Sequence, residues 1–208
     1  MARRSALLPL SLVILLLAAC GGGGSSAVPP ITLPLPSGTF DTSKIETCDL
    51  LSENEASAAT APARVTKQLP ARATPDGTAK GCYFEGDTQT GLTGQPVTNE
   101  VFVGFPVKQQ TLDEFNSVYG QPVRSGCVVA PVQASQFQTS AQAAYTQLCP
   151  DYPQTGNVFV WVNGASLIVL VTSATQTNQS LLPSAINLAG LAAQQAVTNA
   201  QLPSPSAS

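Results

Sequence analysis

The chain has 208 residues, enough for one domain of ordinary size with segments left over. It carries nine Lys and Arg against twelve Asp and Glu, a formal net charge of −3, which makes nucleic acid a poor partner. There is no histidine, so the usual general base, the usual catalytic triad and most zinc sites are missing together.

Arg3 and Arg4 precede an apolar run from Ala6 to Ala19, the charged start and hydrophobic middle of a secretory signal. The run is too short to span a bilayer comfortably. Its end, Leu17-Ala18-Ala19-Cys20, resembles the lipobox of bacterial lipoproteins. That resemblance implies that residues 1–19 are a signal peptide and that Cys20 is the lipid attachment residue, carrying palmitate-type acyl chains. One chain holds a protein only marginally and two hold it durably. The expected location is the extracytoplasmic face of the cell membrane, with the membrane as a partner through the anchor. Without residues 1–19, seven basic residues face twelve acidic ones, a net charge of −5. All of these charges lie between Asp41 and Asp151, and the last fifty-seven residues carry none.

Residues 20–47 read as a tether. Four glycines and two serines follow Cys20, and Pro29, Pro30, Pro34 and Pro36 then disfavour helix and favour extended chain. A flexible spacer of about 26 residues holds its cargo roughly 30 Å from the anchor on average. Residues 48–200 read as a single domain and residues 201–208 as a disordered tail.

In the domain, Ser52 and Glu55 form a capping-box pattern, predicting a helix over 53–60 that Pro62 keeps short. A loop rich in Pro, Gly and Asp is expected next. A short strand follows at Gly81-Cys82-Tyr83-Phe84-Glu85-Gly86 and a longer one at 99–107, where Val101, Val103 and Phe105 alternate with Phe102 and Gly104. The glycines at Gly91 and Gly94 fall in the hairpin loop between them, not between a strand and a helix, so they support no phosphate loop.

Thr111 and Glu114 repeat the capping box, and Gly120 and Pro122 stop the second helix. Phe115, Val118 and Tyr119 give it one apolar face. From Gln121 to Thr155 the signals are sparse, and a short helix is expected around Ser140 to Gln147. Asn163-Gly164 between two β-branched runs is then a two-residue hairpin turn. The turn sets Val162 opposite Ala165, Trp161 opposite Ser166, Val160 opposite Leu167 and Phe159 opposite Ile168. Val158, Val160, Val162, Leu167, Val169 and Val171 share one face of this hairpin; Phe159, Trp161, Ile168 and Leu170 share the other. With both faces apolar, either the hairpin is central and covered on both sides, or the second face contacts an apolar ligand or a partner. A final helix over 182–200 presents Leu182, Ile186, Ala189, Ala193, Ala196 and Val197 on one side.

The order predicts an α+β domain in which helices pack on a mainly antiparallel sheet, built from helix-strand-strand units. With Cys20 assigned to lipid, Cys48, Cys82, Cys127 and Cys149 remain, the even number that disulfide staples need in an exported chain. Three connectivities are possible, and the two pairs of sequence neighbours are favoured.

The acidic pairs Asp49 with Glu53 and Asp113 with Glu114 sit at helix starts, where carboxylates stabilise exposed N–H groups. They read as caps, not as acid–base catalysts. No metal site, cofactor or catalytic residue is expected, and the chain reads as non-enzymatic.

Thr47-Cys48-Asp49-Leu50-Leu51-Ser52 opening a capped helix, with Gly81-Cys82-Tyr83-Phe84 some thirty residues later, resembles an actinobacterial cell-envelope lipoprotein family of unknown function. Members carry Cys-x-Leu-Leu-Ser/Thr and a later Cys-x-aromatic. Phe84 stands where the family more often has Trp, and Cys127 and Cys149 have no counterpart in the pattern. The resemblance implies a Cys48–Cys82 disulfide and a surface lipoprotein; it supplies no activity. The functional expectation is a membrane-anchored protein that binds an envelope lipid, another ligand or a protein partner, or acts as a sensor or accessory module through protein contacts.

Overall fold

A computed structural model of the chain describes residues 41–133, 136–137 and 141–201. The predicted signal peptide, Cys20, most of the tether, and residues 202–208 of the tail lie outside the described residues.

Seven strands form one sheet in the order β1-β2-β3-β7-β6-β5-β4, every neighbouring pair antiparallel. They are β1 (Val65–Ala73), β2 (Ala79–Thr90), β3 (Pro96–Pro106), β4 (Val128–Pro131), β5 (Ala141–Leu148), β6 (Thr155–Val162) and β7 (Ala165–Thr172). Among the described residues three α-helices accompany them: α1 (Glu53–Thr60), α2 (Leu112–Tyr119) and α3 (Asn178–Gln201). The architecture is α+β, and Cys48–Cys82 and Cys127–Cys149 are both bonded.

Two core layers lie on opposite faces of the sheet. In the larger, Val158, Val160, Val162, Leu167, Val169 and Val171 join Phe84, Val101 and Val103 beneath α1 and α3. In the smaller, Phe159, Trp161 and Ile168 join Tyr83 and Phe102 beneath α2. The β6–β7 register is the one the Asn163-Gly164 turn predicts, with Phe159 opposite Ile168 and Val162 opposite Ala165. Both turn residues have positive φ, 47° and 79°, as this hairpin turn requires.

Both predicted capping boxes are present. Ser52 Oγ accepts from Glu55 N while Glu55 Oε2 accepts from Ser52 N, and Thr111 and Glu114 repeat the exchange at α2. These pairs satisfy N–H groups that the first turn of a helix leaves without partners.

Several expectations are corrected. The segment read as a loop after α1 contains β1, and only Ala61 to Arg64 and Thr74 to Thr78 stay outside strand. Pro70 obscured the strand, but β1 is an edge strand and its register shifts between Leu69 and Arg72. There a residue without an N–H costs no ladder hydrogen bond. The segment from Ala141 on, where a short helix was expected around Ser140 to Gln147, is strand β5, paired on both sides, with Tyr145 opposite Phe159 and Leu148 opposite Val128. Ala and Gln favour helix locally, and two strand partners outweigh that preference. The Cys127–Cys149 bond clamps this β4–β5 hairpin just beyond its Val128–Leu148 pair. The expected helix-strand-strand units are accordingly α1 with three strands and α2 with four.

On α2, Phe115 and Tyr119 are buried, but Val118 is 45% exposed, so the apolar face is narrower than its spacing suggests. Helix α3 begins at Asn178, four residues before its predicted start, with Thr177 Oγ1 accepting from Ser180 N at 3.2 Å. Its buried stripe is Leu181, Ala185, Leu188, Ala189, Ala192, Ala193 and Ala196; Leu182, Ile186 and Val197 flank it, half-buried. Small residues allow close approach: a Cβ on Gly156 of β6 would lie 3.2 Å from Leu181 Cβ. At the other end, Ile45 is buried in the main core, so the packed domain begins before Cys48.

Candidate functional site

The sheet face formed by Phe159, Trp161, Ile168 and Leu170 was the strongest candidate for contact with an apolar ligand. Helix α2 lies over it. Phe115 is completely buried, with ring centroids 5.6 Å from Trp161 and 5.8 Å from Tyr145, and Tyr119 stacks on Phe159 at 4.2 Å. Polar atoms at the rim are paired as well. Trp161 Nε1 donates to Gln142 Oε1, Tyr145 Oη to Asn116 Oδ1, and Ser166 Oγ to Gln110 Oε1. Phe159, Trp161 and Ile168 are 7%, 4% and 7% exposed, and only Leu170, beside Phe102 in the register, is half-buried. The expectation that this face contacts a ligand is therefore corrected for those three residues: the chain's own helix fills it.

Toward β1 the same face carries a charged cluster. Glu85 of β2 stands directly opposite Glu100 of β3, a like-charge cross-strand pair that disfavours itself. Arg72 of β1 meets Glu85 at 2.6 Å and lies 4.3 Å over the Tyr83 ring. Burial is the main cause that pushes the Glu100 carboxyl above its ordinary value of 4.5; the Glu85 charge adds to the rise and Arg72 opposes it. A carboxyl raised in the folded state contributes stability below its unfolded pKa and loses it as pH rises through the folded value. Glu100→Gln is therefore expected to be more stable than wild type at pH 7, and to lose that advantage as the pH falls toward 4.5. Urea midpoints across that range test it, and an advantage that grew on acidification would refute it.

A further concavity lies between α3 and the segment leading into α1. It is an open groove of about 620 Å³ whose walls include Cys48, Asp49, Glu53, Gln68, Leu191 and Gln194. A smaller pocket of about 140 Å³ between α1 and α3 shares Glu55 and Leu191 with it. Asp49 and Glu53 thus come together in the groove, where Glu53 Oε1 accepts from Gln68 N at 3.1 Å. Asp113 and Glu114 stay apart from it, at the start of α2. The Glu114 carboxyl is held below its ordinary range by the Thr111 backbone and side-chain hydrogen bonds, as a cap should be. Every charged residue lining the groove is acidic. Gln68, Leu191 and Gln194 were not singled out from sequence; Gln68 lies in the strand that Pro70 concealed.

Among the described residues, no group of three or more His, Cys, Asp or Glu is placed to hold a metal ion, and no helix is long and apolar enough to cross a membrane. No family model, no curated protein and no solved structure matches the chain.

Proposed function

We propose that this chain is an exported lipoprotein, held at the extracytoplasmic face of the cell membrane by acyl chains on Cys20, whose domain acts by binding and not by catalysis. The observation that carries the reading is the cysteine arithmetic. Cys48–Cys82 and Cys127–Cys149 use four of five cysteines, leaving over the one that follows Leu17-Ala18-Ala19. Disulfides belong to oxidising compartments, which supports export, and the glycine- and proline-bearing spacer suits a domain that works away from the bilayer.

Within this reading a protein partner is favoured over an apolar lipid, because the face that an apolar ligand would use is occupied by α2. The domain then acts as an accessory or sensor module through protein contacts. Cross-linking on intact membranes followed by capture should return a reproducible protein partner; repeated capture of none would count against this version.

The anchor has its own test. Wild-type protein is expected in the membrane fraction with acyl mass on Cys20, and Cys20→Ala is expected in the soluble fraction. Cys20→Ala that stayed with the membrane, together with wild type lacking acyl mass, would overturn the proposal.

A further inference from the structure

The two disulfides differ in their surroundings. Cys127 and Cys149 are both buried, at 6% and 3% exposure, and Cys82 is at 0%. Cys48 alone is half-buried, and it lines the groove beside Asp49, Glu53 and Gln68. Of the four bonded cysteines, Cys48 is therefore the one that a thiolate arriving from solvent can approach. What surrounds the other sulfur suits it to leave. Gln68 Nε2 donates to Cys48 O at 2.8 Å and lies 3.6 Å from Cys82 Sγ, so its second N–H can meet charge developing there. Leu69 O lies 3.3 Å from both sulfurs, an acceptor in place for the thiols once they are protonated.

From this geometry we infer that Cys48–Cys82 is a thiol–disulfide exchange site entered at Cys48, open to neutral or cationic thiols, whereas Cys127–Cys149 is a static staple. The inference does not depend on the lipid anchor. In the first step an external thiolate forms a bond to Cys48 Sγ, the Cys48–Cys82 bond breaks, and Cys82 leaves with the electron pair as a thiolate facing Gln68 Nε2. Cys82 then takes up a proton from solvent, and the resulting thiol donates a hydrogen bond to Leu69 O. A second thiolate of the same dithiol attacks the mixed disulfide and releases Cys48 as a thiolate that is protonated in turn. The dithiol is oxidised to a disulfide and the protein gains two electrons and two protons, so the exchange balances. Rates of such exchange depend on access and on the leaving thiol; access favours entry at Cys48, and the Gln68 amide offsets part of what burial costs a thiolate at Cys82. Asp49, Glu53 and Glu55, with no lysine or arginine among the lining residues, repel an anionic reductant. The physiological co-reactant is accordingly a dithiol oxidoreductase whose face is not acidic.

The intact protein is treated with dithiothreitol, quenched at intervals with N-ethylmaleimide and mapped by peptide mass spectrometry. Cys48 and Cys82 are expected to be labelled about tenfold sooner than Cys127 and Cys149; simultaneous opening, or the reverse order, overturns the inference. With cysteamine, the mixed disulfide is expected on Cys48, and a mixed disulfide on Cys82 overturns the direction of attack. At matched thiolate concentration, cysteamine should outpace mercaptoethanesulfonate, and the gap should close in about 1 M salt, where screening reaches about 3 Å. Equal rates at low salt would remove the acidic groove from the argument. Gln68→Leu is expected to slow opening of this bond about threefold or more while leaving Cys127–Cys149 intact; an unchanged rate overturns its role toward the leaving thiolate.

Discussion

Phe115→Ala should cost about 4 kcal/mol of stability, the range for truncating a fully enclosed phenylalanine. Helix α2 has two turns of chain and a single layer of contacts with which to hold itself on the sheet. Phe115 is the centre of that layer, within 5.1 to 5.8 Å of the Tyr119, Tyr145 and Trp161 rings. Truncation would remove its packing and leave a void that Trp161 and Phe159, fixed by the β6–β7 register, cannot close by moving. The main core on the other face shares no side chain with this layer. Hydrogen exchange should therefore quicken in residues 112–119 more than in β3 or β7, alongside a fall in urea midpoint. A loss below about 1 kcal/mol would mean that α2 is not needed to cover this face, and would return Phe159, Trp161 and Ile168 to consideration as a ligand surface.

The second large effect concerns Gly104. Gly81 and Gly104 are register partners on β2 and β3, and the Phe102 ring lies across them. A Cβ built on Gly104 would stand 2.7 Å from both Gly81 Cα and Phe102 Cζ, and closer still to Lys80 O. Two of the three obstacles are backbone atoms of a strand paired on both sides, so they cannot yield as a flexible side chain would. Gly104→Val is expected to destabilise by about 3 kcal/mol, at the upper end of overpacking, although valine is the better strand former. A valine variant with an unchanged urea midpoint would show that this close approach is absent. The sign is the informative part, since strand propensity and packing predict opposite outcomes.

Local chemistry was legible wherever a short pattern had a short-range cause. The capping boxes at Ser52 and Thr111 and the Asn163-Gly164 turn concern residues one to three positions apart, and each formed as its spacing requires. The turn also set which residues of β6 and β7 share a face, because a two-residue loop leaves one register. The cysteine pairing had no such short-range cause: three connectivities were open, and the bonds formed are the favoured neighbour pairs, 34 and 22 positions apart.

Strands β1 and β5 were hidden because their local preferences point elsewhere: Pro70 argues against a strand and the Ala and Gln content of β5 argues for a helix. Each acquires its form from neighbours supplied by other parts of the chain. The buried amides make the same point over longer range. Asn99 is fully buried, accepting from Ala174 N across 75 residues, and Gln154 donates to Ser173 O and accepts from Leu92 N. Nothing adjacent to either residue signals these partners, yet a buried amide without them would be costly.

The amino-acid sequence was sufficient for the α+β class, the two capping boxes, the β6–β7 register and the presence of two apolar faces on that hairpin, since each rests on periodicity or on residues in near contact along the chain. Whether either of those faces is open could not be read in this way. It depended on where α2 came to rest, and a helix's position on a sheet is set by the joint packing of side chains from α2, β5, β6 and β7. The same holds for Cys48: its spacing suggests a bond, but the acidic groove that exposes it and the Gln68 amide behind it exist only once β1, α1 and α3 have been assembled around it.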